Sequence, residues 1–112
     1  MAEYLFSYGT LQKENVQLKL FKRLLIGTKD ILPGYKTSSI EIKDKTFLSK
    51  GEQNIQQTAI PSNDKNDTIE GTVFEISSDE LLMADKYEPD NYQRIEVELR
   101  SGKKAWLYVA GH

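Results

Sequence analysis

The chain has 112 residues, enough for one core, and 38% hydrophobic against 29% charged residues is the balance of a globular protein. Fifteen Lys and Arg against seventeen Asp and Glu leave a net charge of −2, which gives no pull toward nucleic acid or an anionic membrane. There is no cysteine, which excludes disulfides, thiolate metal sites and a cysteine nucleophile and suits a reducing cytoplasm.

Met1-Ala2-Glu3 lacks the basic start of a signal peptide, and no stretch approaches the ~20 apolar residues of a membrane helix. A single cytoplasmic domain over residues 1–112 is expected, without repeats or linkers. Residues 3–8 alternate, with Tyr4, Phe6 and Tyr8 on one face, and predict a strand that runs straight into Tyr8-Gly9-Thr10-Leu11. Residues 15–26 place Leu18, Phe21, Leu24 and Leu25 at helical spacing, with Asn15 as N-cap and Gly27 as the stop. Asp30-Ile31-Leu32 reads as a short strand ended by the Pro33-Gly34 turn. Residues 35–60 predict short strands and loops: Ile40 and Ile42 alternate in one segment, Phe47 and Leu48 lie in another, and Gly51 sits between turns. Residues 62–68 form a polar loop, and residues 69–76 a strand with Gly71 inside it.

Ser77, with Glu80 three residues on, predicts a capping box for a helix over roughly 78–87 that stops before Pro89. Residues 93–100 alternate, with Ile95, Val97 and Leu99 inward and Arg94, Glu96, Glu98 and Arg100 outward. The Ser101-Gly102 turn then returns the chain along 103–110 as a β-hairpin. Strands outnumber helices and their connections are short. The expected fold is α+β and mostly antiparallel, with a β-barrel carrying its helices outside as the form that closes it.

Three places could carry chemistry. A strand that ends on Gly9 exposes consecutive N–H groups, which make either an anion or oxyanion site or simply a tight turn. Asp85 and Glu88 share a helix face, which is either solvated or, with Glu88 set between Tyr87 and Pro89, a partly dehydrated carboxylate whose pKa rises toward use as a proton shuttle. Tyr92 could line a pocket and Arg94 could pair with a carboxylate, although strand alternation favours the plainer reading of Arg94. Arg94 reads as an exposed charge on a strand, and Trp106 and Tyr108 read as core. The sole histidine, His112, is terminal and receives no role, and no histidine–carboxylate metal spacing or phosphate-binding glycine motif occurs.

Taken in order, YLFSYGTLQ (4–12), PGY (33–35), TAIP (58–61), IEGTVFEI (69–76), ADKYEPDNYQRIEVEL (84–99) and AWLYVA (105–110) resemble the gamma-glutamylcyclotransferase-like superfamily, in its AIG2-like, gamma-glutamylamine cyclotransferase branch. The resemblance implies a small β-barrel with flanking helices and a gamma-glutamyl small molecule as substrate, with no cofactor, metal, nucleic acid or membrane. It implies that Tyr8, Gly9, Thr10 and Leu11 meet the gamma-glutamyl group through backbone N–H groups. Glu88 then stands at the position of the general acid/base and Tyr92 near the pocket. The implied reaction is cyclisation to 5-oxoproline with release of an amine. Removal of a gamma-glutamyl protecting group in a biosynthesis, or a binding module that keeps the pocket without turnover, are the alternatives. One departure is Ala84 before Asp85, where the family usually carries leucine.

Overall fold

A computed structural model describes residues 2–50 and 55–110. Strand β1 (Ala2–Ser7) leads through a 3-10 turn (Thr10–Gln12) into helix α1 (Glu14–Phe21). Strands β2 (Ile26–Pro33) and β3 (Tyr35–Glu41) follow, then the one-turn helix α2 (Lys45–Leu48), β4 (Ile55–Pro61), β5 (Thr68–Ser77), helix α3 (Ser78–Tyr87) and the hairpin β6 (Tyr92–Glu98) and β7 (Lys104–Ala110). A five-stranded sheet has the order β2-β5-β1-β7-β6, and β3 pairs with β4 in a sheet of their own. The pairings are antiparallel except that of β1 with β7, which is parallel at Leu5 and Trp106. The α+β class and the mostly antiparallel strands are as expected. The strands form two sheets, and among the described residues no ladder closes them into a ring.

The alternation of β1 works on both faces. Leu5 points into a core shared with α1 and α3, together with Phe21, Phe74, Ile76, Leu81 and Ala84. Phe6 points the other way, among Leu32, Val73, Val97 and Leu107, with Tyr4 and Tyr8 beside it. Ala59 of β4 and Tyr35 of β3 close over this second face. A strand buried on both sides belongs at the centre of a sheet, where β1 lies. The second face also needs Gly71: a Cβ there would meet the Ser7 carbonyl oxygen and stand 2.7 Å from the Phe6 ring.

The end of α1 differs from the expectation. Lys13 rather than Asn15 occupies the N-cap, and the helix stops at Phe21 with Lys22 in the left-handed conformation, φ 63°. Leu18 and Leu24 are consequently 50% and 46% exposed, and Val16, Gln17 and Phe21 are the buried residues of the helix. Gly27 ends no helix. It lies in β2, where a Cβ would stand 2.5 Å from the Phe74 ring. The capping box of α3 is formed as predicted: the Glu80 amide donates to Ser77 Oγ at 3.1 Å and the Ser77 amide to Glu80 Oε1 at 2.9 Å. Arg23 grips the same Glu80 carboxylate with two hydrogen bonds of 2.8 and 2.7 Å, tying the chain after α1 to the start of α3. In the segment 35–60, Asp44 caps α2 and also accepts the Asp90 amide at 2.9 Å, which holds the chain beyond α3 against the start of α2. Gly51 lies outside the described residues.

Candidate functional site

The site begins where β1 runs out. The Tyr8 hydroxyl donates to the Tyr108 carbonyl of β7 at 2.8 Å and accepts the Ala59 amide of β4 at 2.9 Å. Burial pushes the Tyr8 phenol up to about 12, against the pull of the bonds it accepts from the Ala59 amide and Thr58, and the charge of Glu88 adds to the rise. Its proton is therefore committed to a structural bond. Gly9 follows, exposed, and a Cβ there would meet nothing within 4 Å. The 3-10 turn uses the Gln12 and Lys13 amides on the Gly9 and Thr10 carbonyls, at 3.1 and 3.0 Å. The amides of Thr10 and Leu11, the first of the turn, find no acceptor among the described residues. Buried Gln17 braces the turn from below: its Nε2 donates to the Leu11 carbonyl at 2.8 Å and its Oε1 accepts the Leu25 amide at 2.9 Å.

Glu88 is the C-cap of α3, half-buried, with its amide on the Ala84 carbonyl at 3.2 Å and Pro89 buried beside it. Asp85, one turn earlier, does not enter the cleft. Arg94 holds its carboxylate at 2.9 and 3.1 Å, and the Tyr108 hydroxyl donates to it at 2.6 Å. Arg94 is thus not the outward charge that strand alternation suggested. Its face of the sheet is covered by α3, and its guanidinium lies 4.5 Å from the Trp106 ring centroid. Tyr92 opens β6, with its hydroxyl on the Gln57 carbonyl at 3.0 Å. Burial raises its phenol, and Tyr8 and Glu88 raise it further. Burial also raises the Tyr108 phenol, with Asp85 and then Glu88 adding to it. Three tyrosines therefore feel one carboxylate, which locates Glu88 electrostatically among them.

Tyr8, Gly9, Thr10, Leu11, Glu88 and Tyr92 all line one cleft. Phe47, Gln56, Gln57, Pro89 and Tyr108 complete it. Turn amides without an acceptor among the described residues suit a polarised oxygen or a carboxylate, and the half-buried carboxylate of Glu88 in the same cleft can take and return a proton. Among the described residues no group of three or more His, Cys, Asp or Glu stands close enough to hold a metal ion. No described helix is long and apolar enough to cross a membrane.

The sequence profile of a family described as gamma-glutamyl cyclotransferase, AIG2-like, matches residues 5–112. The chain belongs to this family. Among solved structures, one named gamma-glutamyl cyclotransferase superposes on the AIG2-like chain with a TM-score of 0.74 at 21% identity, over 100% of this chain and 68% of that one. A protein from Arabidopsis thaliana gives 0.72 at 22% identity, over 98% and 62%. An uncharacterized protein from Homo sapiens gives 0.73 at 19%, over 99% and 68%. The chain spans less than two thirds of the length of the first Arabidopsis structure and about two thirds of the others, and at these identities the likeness is one of fold. No match is found among curated proteins. Ala84, on α3, is fully buried in the core.

Sequence reasoning missed the far walls of the AIG2-like cleft. Gln56 and Gln57 are polar residues of a strand with no local mark of function, and Phe47 reads as any apolar residue of a short helix. Tyr108 was legible only as core. A tyrosine of β7 meeting Asp85 of the helix packed on the sheet is a signal that exists in three dimensions alone.

Proposed function

We propose that this AIG2-like protein cyclises a gamma-glutamyl amine or peptide to 5-oxoproline and a free amine, with Glu88 as general acid/base. The observation that carries the reading is the convergence of the Tyr8–Leu11 turn, Glu88 and Tyr92 on one cleft. The gamma-glutamyl group brings its own nucleophile. Glu88 takes a proton from the alpha-ammonium, and the freed nitrogen attacks the gamma-carbonyl carbon to form the new C–N bond. The carbonyl electron pair moves to oxygen, where amides of the turn stabilise it. Collapse breaks the C–N bond to the leaving amine as Glu88 returns the proton to that nitrogen, and the second proton, shed by the ring nitrogen as it becomes a lactam, passes through the same carboxylate to the departing amine, which leaves as an ammonium. Atoms and protons balance without an external nucleophile. Ring closure within one molecule draws on orientation for up to ~7–11 kcal/mol in ideal cases, and each oxyanion donor adds about 3 kcal/mol. Tyr8 and Tyr92 act as walls, because phenols raised by burial hold their protons near neutrality.

The test is incubation of the purified protein with a panel of gamma-glutamyl amines and dipeptides, followed by mass spectrometry for 5-oxoproline. Product from at least one member supports the reading, and the preferred member identifies the class of amine released. No product from any member refutes it.

A further inference from the structure

Asp85 lies one helical turn before Glu88 and is not among the residues that line the cleft. Both of its carboxylate oxygens are turned inward. Oδ1 accepts the Tyr108 hydroxyl at 2.6 Å and Arg94 Nε at 2.9 Å, and Oδ2 accepts Arg94 Nη2 at 3.1 Å. The side chains of Arg94 and Asp85 are only 25% and 32% exposed, and Arg94 is further fixed by its place over Trp106. A two-pronged, partly dehydrated pair with a short phenol hydrogen bond resists rotation far more than a surface pair does. Tyr108 then has two attachments. Its hydroxyl is tied to α3 through Asp85, and its carbonyl receives the Tyr8 hydroxyl at 2.8 Å. Its ring lines the cleft between them.

Glu88 stands one turn beyond Asp85, at the point where α3 leaves helical geometry with ψ 153°. A helix end frays unless something holds it. Here Asp85 holds the last full turn, Lys50 Nζ donates to the Tyr87 carbonyl at 3.1 Å, and the segment beyond is tied back by the Asp90 amide on Asp44. The Tyr8–Leu11 turn, which lines the same cleft, is anchored to the same Tyr108 through the Tyr8 hydroxyl.

We propose that Asp85 is a positioning residue: through Tyr108, braced by Arg94, it sets the placement of Glu88 against the Tyr8–Leu11 turn without touching substrate. The inference rests on the reading of Glu88 as the proton shuttle. It goes beyond that reading by assigning the spacing of the two walls to a carboxylate outside the cleft.

The experiment compares the parent with Asp85→Asn, Tyr108→Phe and the double variant. With the panel member turned over best, kcat is expected to fall about 10- to 100-fold in Asp85→Asn while KM stays within about threefold, because the groups that bind substrate are intact and only alignment is lost. The double variant is expected to lose no more than the worse single one, since both changes cut the same connection. A kcat for Asp85→Asn within about threefold of the parent, or costs that multiply in the double variant, overturns the proposal. Tyr108→Phe keeps the ring and carries the same kcat test if Asp85→Asn fails to fold. A second readout needs no turnover: the side-chain carboxyl resonance of Glu88 and the amide resonances of Gly9 to Leu11 in isotope-labelled protein. Displacement of both sets in Asp85→Asn is expected, and unmoved resonances overturn the proposal. If the parent turns over no panel member, the activity reading fails by itself and the resonances still decide the positioning.

Discussion

Replacing Tyr8 with phenylalanine removes one oxygen from a site where it makes two hydrogen bonds, to the Ala59 amide at 2.9 Å and the Tyr108 carbonyl at 2.8 Å. Each is worth about 1 kcal/mol net, and stranding the amide of buried Ala59 adds about 1–2 kcal/mol, so Tyr8→Phe is expected to cost about 2–4 kcal/mol at pH 7. The cost must shrink in alkali, for a reason the structure fixes in sign. Burial raises the Tyr8 phenol from 10.0 to about 12, so folding favours the protonated phenol. The stability this gives is complete below about pH 10 and is lost as the pH rises toward about 12. At pH 11 the parent has lost about 1.4 kcal/mol that the variant, with no phenol there, never had. Urea denaturation of both proteins at pH 7 and pH 11 measures the two differences. The other tyrosines titrate in both proteins and largely cancel. A difference below about 0.5 kcal/mol at pH 7, or one that widens at pH 11, refutes the reasoning.

Glu88→Gln keeps the size of the side chain but cannot cycle a proton, and turnover is expected to fall at least ~100-fold with an unchanged melting temperature; rates within a few-fold of the parent would remove Glu88 as the shuttle. Gly9→Val places a branched side chain where a Cβ meets nothing within 4 Å. Substrate affinity measured by calorimetry should therefore fall while the denaturation midpoint holds, and undiminished affinity in the folded variant would take the turn out of the site. Lys13→Ala tests whether backbone N–H groups suffice to hold the substrate carboxylate: exposed Lys13 should contribute about 1 kcal/mol or less to affinity, and a loss near 3 kcal/mol would reveal a desolvated charge pair instead. Gly71→Ala puts a methyl against the Ser7 carbonyl and the Phe6 ring, and should destabilise the fold by about 1–3 kcal/mol or more in urea titrations.

How much of this was legible in the sequence depends on the reach of each signal. The β6–β7 hairpin and the Ser77–Glu80 capping box are local events, closed within a few residues, and their patterns predict them well. Gly27 shows the opposite case. A glycine after an apolar run reads as a helix stop, but this one is glycine because the Phe74 ring, on a distant strand, lies against it. The helix meanwhile ends on Lys22, a residue with no stop signal. Arg94 misled for a similar reason: alternation says which face a side chain takes, not whether a helix covers that face. The parallel step between β1 and β7 joins the two ends of the chain and has no pattern of its own. At the site, Tyr8 to Leu11, Glu88 and Tyr92 could be named through resemblance, and the fold gathers them in one cleft. The glutamines of β4 could not be named, since nothing but the packing of the second sheet brings them there.

That second sheet has a further consequence. The β3–β4 pair has its own ladder and is hydrogen-bonded to the larger sheet through side chains: Tyr8 Oη with the Ala59 amide, Thr58 Oγ1 with the Ala110 amide, and Tyr92 Oη with the Gln57 carbonyl. Three such bonds and the apolar contact around Ala59 can release together while every rung of the five-stranded ladder stays intact. An isolated two-stranded sheet does not hold its structure in water, so release and fraying become one event. The pair is therefore expected to open as a unit below the cost of global unfolding, and native-state hydrogen exchange should show its amides exchanging ahead of those in β1 and β7. Because Gln56 and Gln57 ride on that unit and line the cleft, opening of the pair would change the shape of the cleft as well.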